Sequence, residues 1–192
     1  NKLSFNIDKN SKVKNLKIKS NITFENIKID YISSKLRKRI PNYKDYILLN
    51  SDYLEFDLKN NKTQIKAKGS YSFNDQFENY EINIINEKDK YDFQTSINLK
   101  KNPIVIKEID YIKNKDYFSK IKLKGNYIKN KDIKIEHLLY SEDKNKIAIS
   151  NLKLSKDYKV KDINSLELNY LNNNKNKNHL KILKNKNKYS LI

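Results

Sequence analysis

The chain has 192 residues, room for one large domain or two small ones, and it contains no cysteine. That excludes disulfides, thiol nucleophiles and cysteine-ligated metals. Only 37% of residues are hydrophobic, 33% are charged and the formal net charge is +18, a balance close to that of disordered chains.

Lysine, asparagine and isoleucine dominate, and all three have A/T-rich codons, so a low-GC genome accounts for much of the bias. The only arginines are Arg37 and Arg39. Sequence-reading nucleic-acid proteins draw more heavily on the guanidinium fork. No run approaches the ~18 uninterrupted apolar residues of a membrane-spanning helix, and no signal peptide is visible. The chain begins at Asn1 and stops in what reads as mid-strand at Tyr189-Ser190-Leu191-Ile192, so it is expected to be a fragment of a longer protein.

What argues against disorder is periodicity. Residues 1–50 read as an N-terminal β segment with a short helix or irregular connection at Ser33–Ile40. Pro41 bounds that stretch, and Ile32, Leu36 and Ile40 form its apolar stripe. From residue 51 to 192 apolar and polar residues alternate with a period of two, the mark of strands with one buried face. Leu54, Phe56 and Leu58 lead to a turn at Asn60-Asn61-Lys62. Ile65, Ala67, Gly69, Tyr71 and Phe73 follow on one face, then Tyr80, Ile82 and Ile84. A polar turn at Asn86–Lys90 precedes Tyr91, Phe93, Thr95, Ile97 and Leu99.

Beyond Asn102-Pro103 come Ile104 and Ile106, then Ile121, Leu123, Gly125 and Tyr127. Ile133 and Ile135, then Leu138 and Tyr140, reach a turn at Ser141–Asn145. Ile147 and Ile149, then Leu152 and Leu154, return from it. Leu166, Leu168 and Tyr170 precede a loop at Leu171–Asn178, and Leu180 and Ile182 end at a turn around Lys184–Lys188. Val, Ile, Thr, Tyr and Phe suit a pleated, half-buried surface. The expected class is mostly β with little helix.

The only two glycines, Gly69 and Gly125, share one local context: Ile65-Lys-Ala-Lys-Gly69-Ser-Tyr71 and Ile121-Lys-Leu-Lys-Gly125-Asn-Tyr127. At their offset of 56 positions, flanking turns and strands also recur in step. A glycine inside a strand marks a bulge or a close backbone approach. Repeated meander units placed edge to edge predict a long, curved antiparallel sheet with one continuous apolar surface. Such a surface needs a second sheet, closure into a barrel, or a ligand to cover it.

Asp110-Tyr111-Ile112-Lys113 followed by Ser119-Lys-Ile-Lys-Leu-Lys-Gly125 resembles a recurrent stretch of AsmA-like proteins. So does the succession Ile133 to Tyr140, Glu142 and Lys146-Ile-Ala-Ile-Ser-Asn-Leu152. The nearest branch is the large YhdP-like envelope proteins, relatives of TamB and of the bridge-like lipid-transfer proteins. The likeness covers most of the chain from about Leu54 onward. It implies a periplasmic taco-shaped β-sheet, anchored in the inner membrane by an N-terminal helix absent from this chain. Its apolar groove would carry phospholipids toward the outer membrane, with no catalytic residues.

On that reading the groove lining is Leu54, Phe56, Leu58, Ile65, Tyr71, Phe73, Ile82, Ile84, Phe93, Ile97, Ile121, Leu123, Ile147, Ile149, Leu166 and Leu168, with Gly69 and Gly125 as structural glycines. A closed core made of the same residues is the alternative. The expected partners are phospholipid acyl chains, neighbouring β repeats of the same longer chain, and the membrane through the missing anchor. Covering acyl chains is worth ~0.8 kcal/mol per CH₂, so two chains of common length carry on the order of 20 kcal/mol in water.

Little else suggests chemistry. His137 and His179 lie 42 positions apart, without metal-ligand spacing. Glu108 and Asp110 read as an i, i+2 pair on one strand face, which an acid–base role would require, yet the chain has 23 acidic residues and such pairs arise by chance. No Gly-rich phosphate loop exists. No cofactor, metal or catalytic residue is expected. The tracts Asn172–Asn178 and Lys184–Lys188 read as solvated loops or as contacts for anionic headgroups. Two other readings remain: a structural or interaction domain of the envelope, and a basic β-sheet binding single-stranded nucleic acid. The second is disfavoured because most tyrosines fall on the apolar side, away from the lysines.

Overall fold

The computed structural model describes residues 1–30, 38–40, 44–74, 76–100, 102–113, 117–186 and 188–192. Among them are fifteen strands: β1 (Lys2–Ile7), β2 (Val13–Ile29), β3 (Ile47–Lys59), β4 (Lys62–Ser72), β5 (Glu78–Glu87), β6 (Lys90–Asn98), β7 (Ile104–Ile106), β8 (Tyr111–Lys113), β9 (Ser119–Ile128), β10 (Ile133–Glu142), β11 (Asn145–Leu154), β12 (Val160–Asp162), β13 (Ser165–Leu171), β14 (Lys177–Asn185) and β15 (Lys188–Leu191). A short 3-10 helix, Lys107–Ile109, joins β7 to β8.

Thirteen strands form one open antiparallel sheet, in the order β1-β2-β3-β4-β5-β6-β9-β10-β11-β13-β14-β15, with β12 pairing the end of β11 off that path. Every step along the order joins strands that follow each other in sequence, apart from the excursions that form β7–β8 and β12. The twelve strands of the path extend the sheet about 53 Å at ~4.8 Å per step. The sheet does not close on itself, and among the described residues β1 and β15 are its edge strands. This is the mostly β antiparallel meander that the alternation predicts, and of the arrangements left open by the sequence it is the one not closed into a barrel. β3 runs through position 50, so the sheet passes without a break from the N-terminal segment into the repeats. The stretch expected as helix or connection, Ser33–Ile40, falls largely outside the described residues. Its described end, 38–40, is a turn.

Tight turns join the hairpins. Asn60, Lys88 and Asp143 each take a left-handed conformation (φ 55°, 56° and 43°) in the two-residue turns of β3–β4, β5–β6 and β10–β11. Asn and Asp tolerate that region because their short polar side chains bond locally.

The two glycines sit opposite bulges. Gly69 on β4 pairs with Ser51, where β3 carries an irregularity between Ser51 and Tyr53. Gly125 on β9 pairs with Ile135, where β10 carries one between Ile135 and His137. A Cβ at Gly69 would lie 2.1 Å from the Asn50 carbonyl oxygen, and one at Gly125 would lie 2.3 Å from that of Lys134. Both glycines are therefore close-approach positions. The repeat is imperfect in one respect. The crowding strand precedes the glycine strand in the first unit and follows it in the second.

The fold leaves a large area in contact with water. A compact monomer of 22.9 kDa has an accessible surface of roughly 9,600 Å², whereas this chain has 13337 Å². Burial concentrates at one end of the sheet's apolar face, in a cluster of Tyr71, Tyr80, Leu99, Tyr111 and Tyr140.

Candidate functional site

The pairing register sorts the apolar side chains into rows that run across the strands. One row is Leu58, Thr63, Asn86, Tyr91, Tyr127, Ile133 and Leu154. The next is Phe56, Ile65, Ile84, Phe93, Gly125, Ile135 and Leu152. A third reaches from Leu54 through Ala67, Ile82, Thr95, Leu123, Leu138, Ile149 and Leu166 to Ile182 and Leu191. A fourth holds Gly69, Tyr80, Ile97, Ile121, Tyr140, Ile147, Leu168 and Leu180. Paired residues share a face, so all four rows lie on one side of the sheet.

Of the residues expected to line a groove, Leu54, Phe56, Leu58, Ile65, Ile82, Ile84, Phe93, Ile97, Ile121, Leu123, Ile147, Ile149, Leu166 and Leu168 all belong to these rows. Tyr71 lies one row further on, opposite Leu49 and Glu78. Phe73 is past the end of β4 and packs against the tyrosine cluster. Bulges keep the face continuous. On β10 the skipped Glu136 lets Ile133, Ile135, Leu138 and Tyr140 all point one way. Asp52 does the same on β3 for Leu49, Ser51, Leu54 and Phe56.

A strap crosses one end of this face. It comprises β7, the 3-10 helix and β8, the only second layer of sheet among the described residues. Its base is pinned where the Leu99 N–H donates to the Ser119 carbonyl at 2.8 Å and the Lys113 ammonium donates to the Lys100 carbonyl at 2.9 Å. Its far side reaches two separate parts of the chain, Arg39 and Asn173. The Val105 N–H donates to the Arg39 carbonyl at 2.8 Å. The Arg39 guanidinium forks onto the Glu108 carboxylate. Asn173, in the β13–β14 loop, donates to the Asp110 carbonyl at 3.1 Å and to its carboxylate at 2.6 Å.

Under the strap is a buried polar knot. Tyr111 is 3% exposed, and its hydroxyl lies 2.7 Å from that of Tyr140. Both donate to Glu142 Oε2, the Tyr140 bond at 3.0 Å, and Asn145 adds a third donor at 3.2 Å. The Tyr111 ring meets Tyr140 and Tyr170 edge-on, with centroids 6.3 and 6.1 Å apart. Shared donors offset the cost of burying a carboxylate.

Glu108 and Asp110 do not form a strand-face pair. Glu108 is in the 3-10 helix, and Asp110 caps it in a left-handed conformation (φ 48°). The alternation stops here because the strap has to turn back over the sheet. Sequence reasoning also passed over Glu142, whose position two residues after Tyr140 on the apolar face was the available signal.

The strap titrates at both ends of the pH scale. The Arg39 guanidinium, hydrogen-bonded to Glu108, pulls that carboxyl down from 4.5 to about 2. A lowered carboxyl pKa stabilises the folded form above the ordinary value and loses that contribution as pH falls through the lowered one. Burial first, then the bond to Glu142, raises the Tyr111 hydroxyl well above its ordinary value of 10.0; burial likewise raises Tyr140. A raised pKa contributes stability that is complete below the ordinary value and drains as pH rises past it. Strap anchoring is thus expected to hold from about pH 4.5 to about pH 10. Val105 amide exchange, corrected for intrinsic rates, should be flat across that window and accelerate outside it. Acceleration near neutral pH would contradict this assignment.

The opposite face is charged. A hollow of ≈ 950 Å³ opens there, across β3 to β14, lined by Lys66, Lys68, Lys120, Lys122, Lys124, Lys181, Glu81 and Glu167 among others. His137 borders it, exposed on β10. His179 is exposed on β14, opposite Asn169. No group of three or more His, Cys, Asp or Glu with metal-holding geometry occurs among the described residues.

No family model matches the chain, and neither a curated protein nor a solved structure matches it.

Proposed function

We propose that this chain is a segment of a cell-envelope protein whose apolar sheet face shields phospholipid acyl chains in transfer between the inner and outer membranes. The carrying observation is the open sheet itself. One of its largely apolar rows, Leu54 to Leu191, runs over ten strands from β3 to β15 with Thr95 as its one polar member, three shorter rows flank it, and the strap covers only one end of the face. The accessible area exceeds that of a compact monomer by roughly 3,700 Å², in keeping with a sheet that is not sealed by a second full layer. At ~0.8 kcal/mol per shielded CH₂, half-covering two acyl chains lowers the cost of leaving a bilayer by on the order of 10 kcal/mol, with no chemistry required.

The resemblance of the 110–152 motifs to AsmA-like proteins supplies the setting: a periplasmic location and an inner-membrane anchor elsewhere in a longer protein. Among the described residues no helix is long and apolar enough to cross a membrane. Photo-crosslinking in cells tests the proposal. A photoreactive residue at Ile84 or Leu123, on the apolar face, is expected to capture phospholipid. One at Asn83 or Lys122, on the charged face, is not. Capture from neither face, or from both equally, would overturn it.

A further inference from the structure

We propose that the charged face of the sheet is a binding surface for a linear anionic polysaccharide. This does not rest on the lipid reading, which concerns the other face. Codon bias explains how many lysines the chain has, but not where these lie. β9 carries Lys120, Lys122 and Lys124 at alternate positions on the charged face, about 7 Å apart. Their cross-strand partners are Asn98 and Ser141, Ser96 and Leu139, and Gln94 and His137. None is an acid. Among the described residues, Lys124 alone of the three forms an ion pair, with Glu136 in the bulge at 3.3 Å.

The remaining charges compensate only in part. Among the described lining residues six lysines face two glutamates: Lys68 pairs with Glu81 at 3.8 Å and Lys66 with Glu55 at 3.6 Å, while Glu167 is engaged by Lys146 at 3.2 Å, which leaves an excess of lysine centred on β9. A row of like charges in a concave surface focuses a positive potential and costs free energy until an anion enters.

The shape selects a polymer. The hollow spans nine strands of the sheet order, about 38 Å, and a flat bilayer would touch only its rim. The side chains select among polymers. Single-stranded nucleic acids are held by stacking on aromatic rings, and among the described lining residues only Tyr53 and His137 carry one. Ser96, Ser150, Ser165, Asn83 and Gln94 instead offer neutral donors and acceptors suited to sugar hydroxyls. Lysine ammonium groups supply point charges for sulfate or carboxylate.

The test uses a heparin dodecasaccharide as probe, with oligo(dT) of matched charge and anionic vesicles as competitors. Replacing Lys120, Lys122 and Lys124 together by Gln is expected to weaken heparin binding at least tenfold and to flatten its salt dependence. Replacing three turn lysines, Lys144, Lys156 and Lys175, by Gln makes the same change in net charge and is expected to weaken it less than twofold. Lys122→Glu alone, a single exposed reversal, should reproduce most of the loss and guards against misfolding of the triple variant. Equal losses from both triple variants would overturn the proposal, as would preference for oligo(dT) or displacement of heparin by vesicles.

Discussion

Gly69→Ala is expected to destabilise the sheet by about 2–3 kcal/mol, the cost of overpacking against atoms that cannot move aside. The new methyl would sit 2.1 Å from the Asn50 carbonyl oxygen and 2.9 Å from Ser51 Cα, both main-chain atoms of β3. Relief requires the two strands to separate where the β3 bulge brings them together. The gain from a stiffer unfolded chain, about 0.4–1 kcal/mol, does not offset this. Gly125→Ala is expected to cost less. There too the Lys134 carbonyl lies 2.3 Å away, but the third-nearest atom is more distant and the second, Phe93 Cζ at 2.9 Å, belongs to a ring that can swing. Urea titration of the two variants measures both effects. A loss below about 0.5 kcal/mol at Gly69, the range of neutral surface changes, would show that the approach of β3 to β4 is wrong.

The strap variant Tyr111→Ala should be more damaging, at about 3–5 kcal/mol, the range for deleting a buried ring. The ring is 3% exposed and wedged between Tyr140 and Tyr170. Its hydroxyl is one of three donors to Glu142, so its removal leaves a buried carboxylate poorly solvated. Tyr111→Phe separates the two contributions: it keeps the ring and should lose only about 1–3 kcal/mol. Alongside denaturation, amide exchange at Val105 and Asn173 reports whether the strap lets go of its anchors. Faster exchange at both sites in the Ala variant is expected. Unchanged exchange at both would mean that other contacts hold the strap.

Much of the sheet was legible because each strand obeys period two. Even the bulges left a trace. In Ile133, Ile135, Leu138 and Tyr140 the apolar parity shifts by one, and a residue left out of register, Glu136, is how one face accommodates both pairs. The shift from Leu49 and Ser51 to Leu54 has the same cause at Asp52. The knot under the strap was not legible. Tyr111, Tyr140 and Glu142 meet across 29 and 31 positions of chain, and each alone reads as an ordinary member of an alternating strand. Glu108 and Asp110 misled for a related reason. A three-residue helix is too short to impress its own period, so neighbouring alternation was extended through it. The hollow on the charged face depends on how the whole sheet bends, and no local pattern encodes that.

The strand order has a consequence for how the molecule comes apart. Because nearly every ladder joins chain neighbours, few strands are held by contacts from more than two others, and cooperativity spreads along a line instead of through a volume. Such chains behave like linear arrays, with stability set by a sum over adjacent couplings. Damage at one coupling then divides the array instead of melting it as a whole. A break between β9 and β10 would leave two shorter meanders, each still zipped, and their separate transitions would show as a biphasic melt.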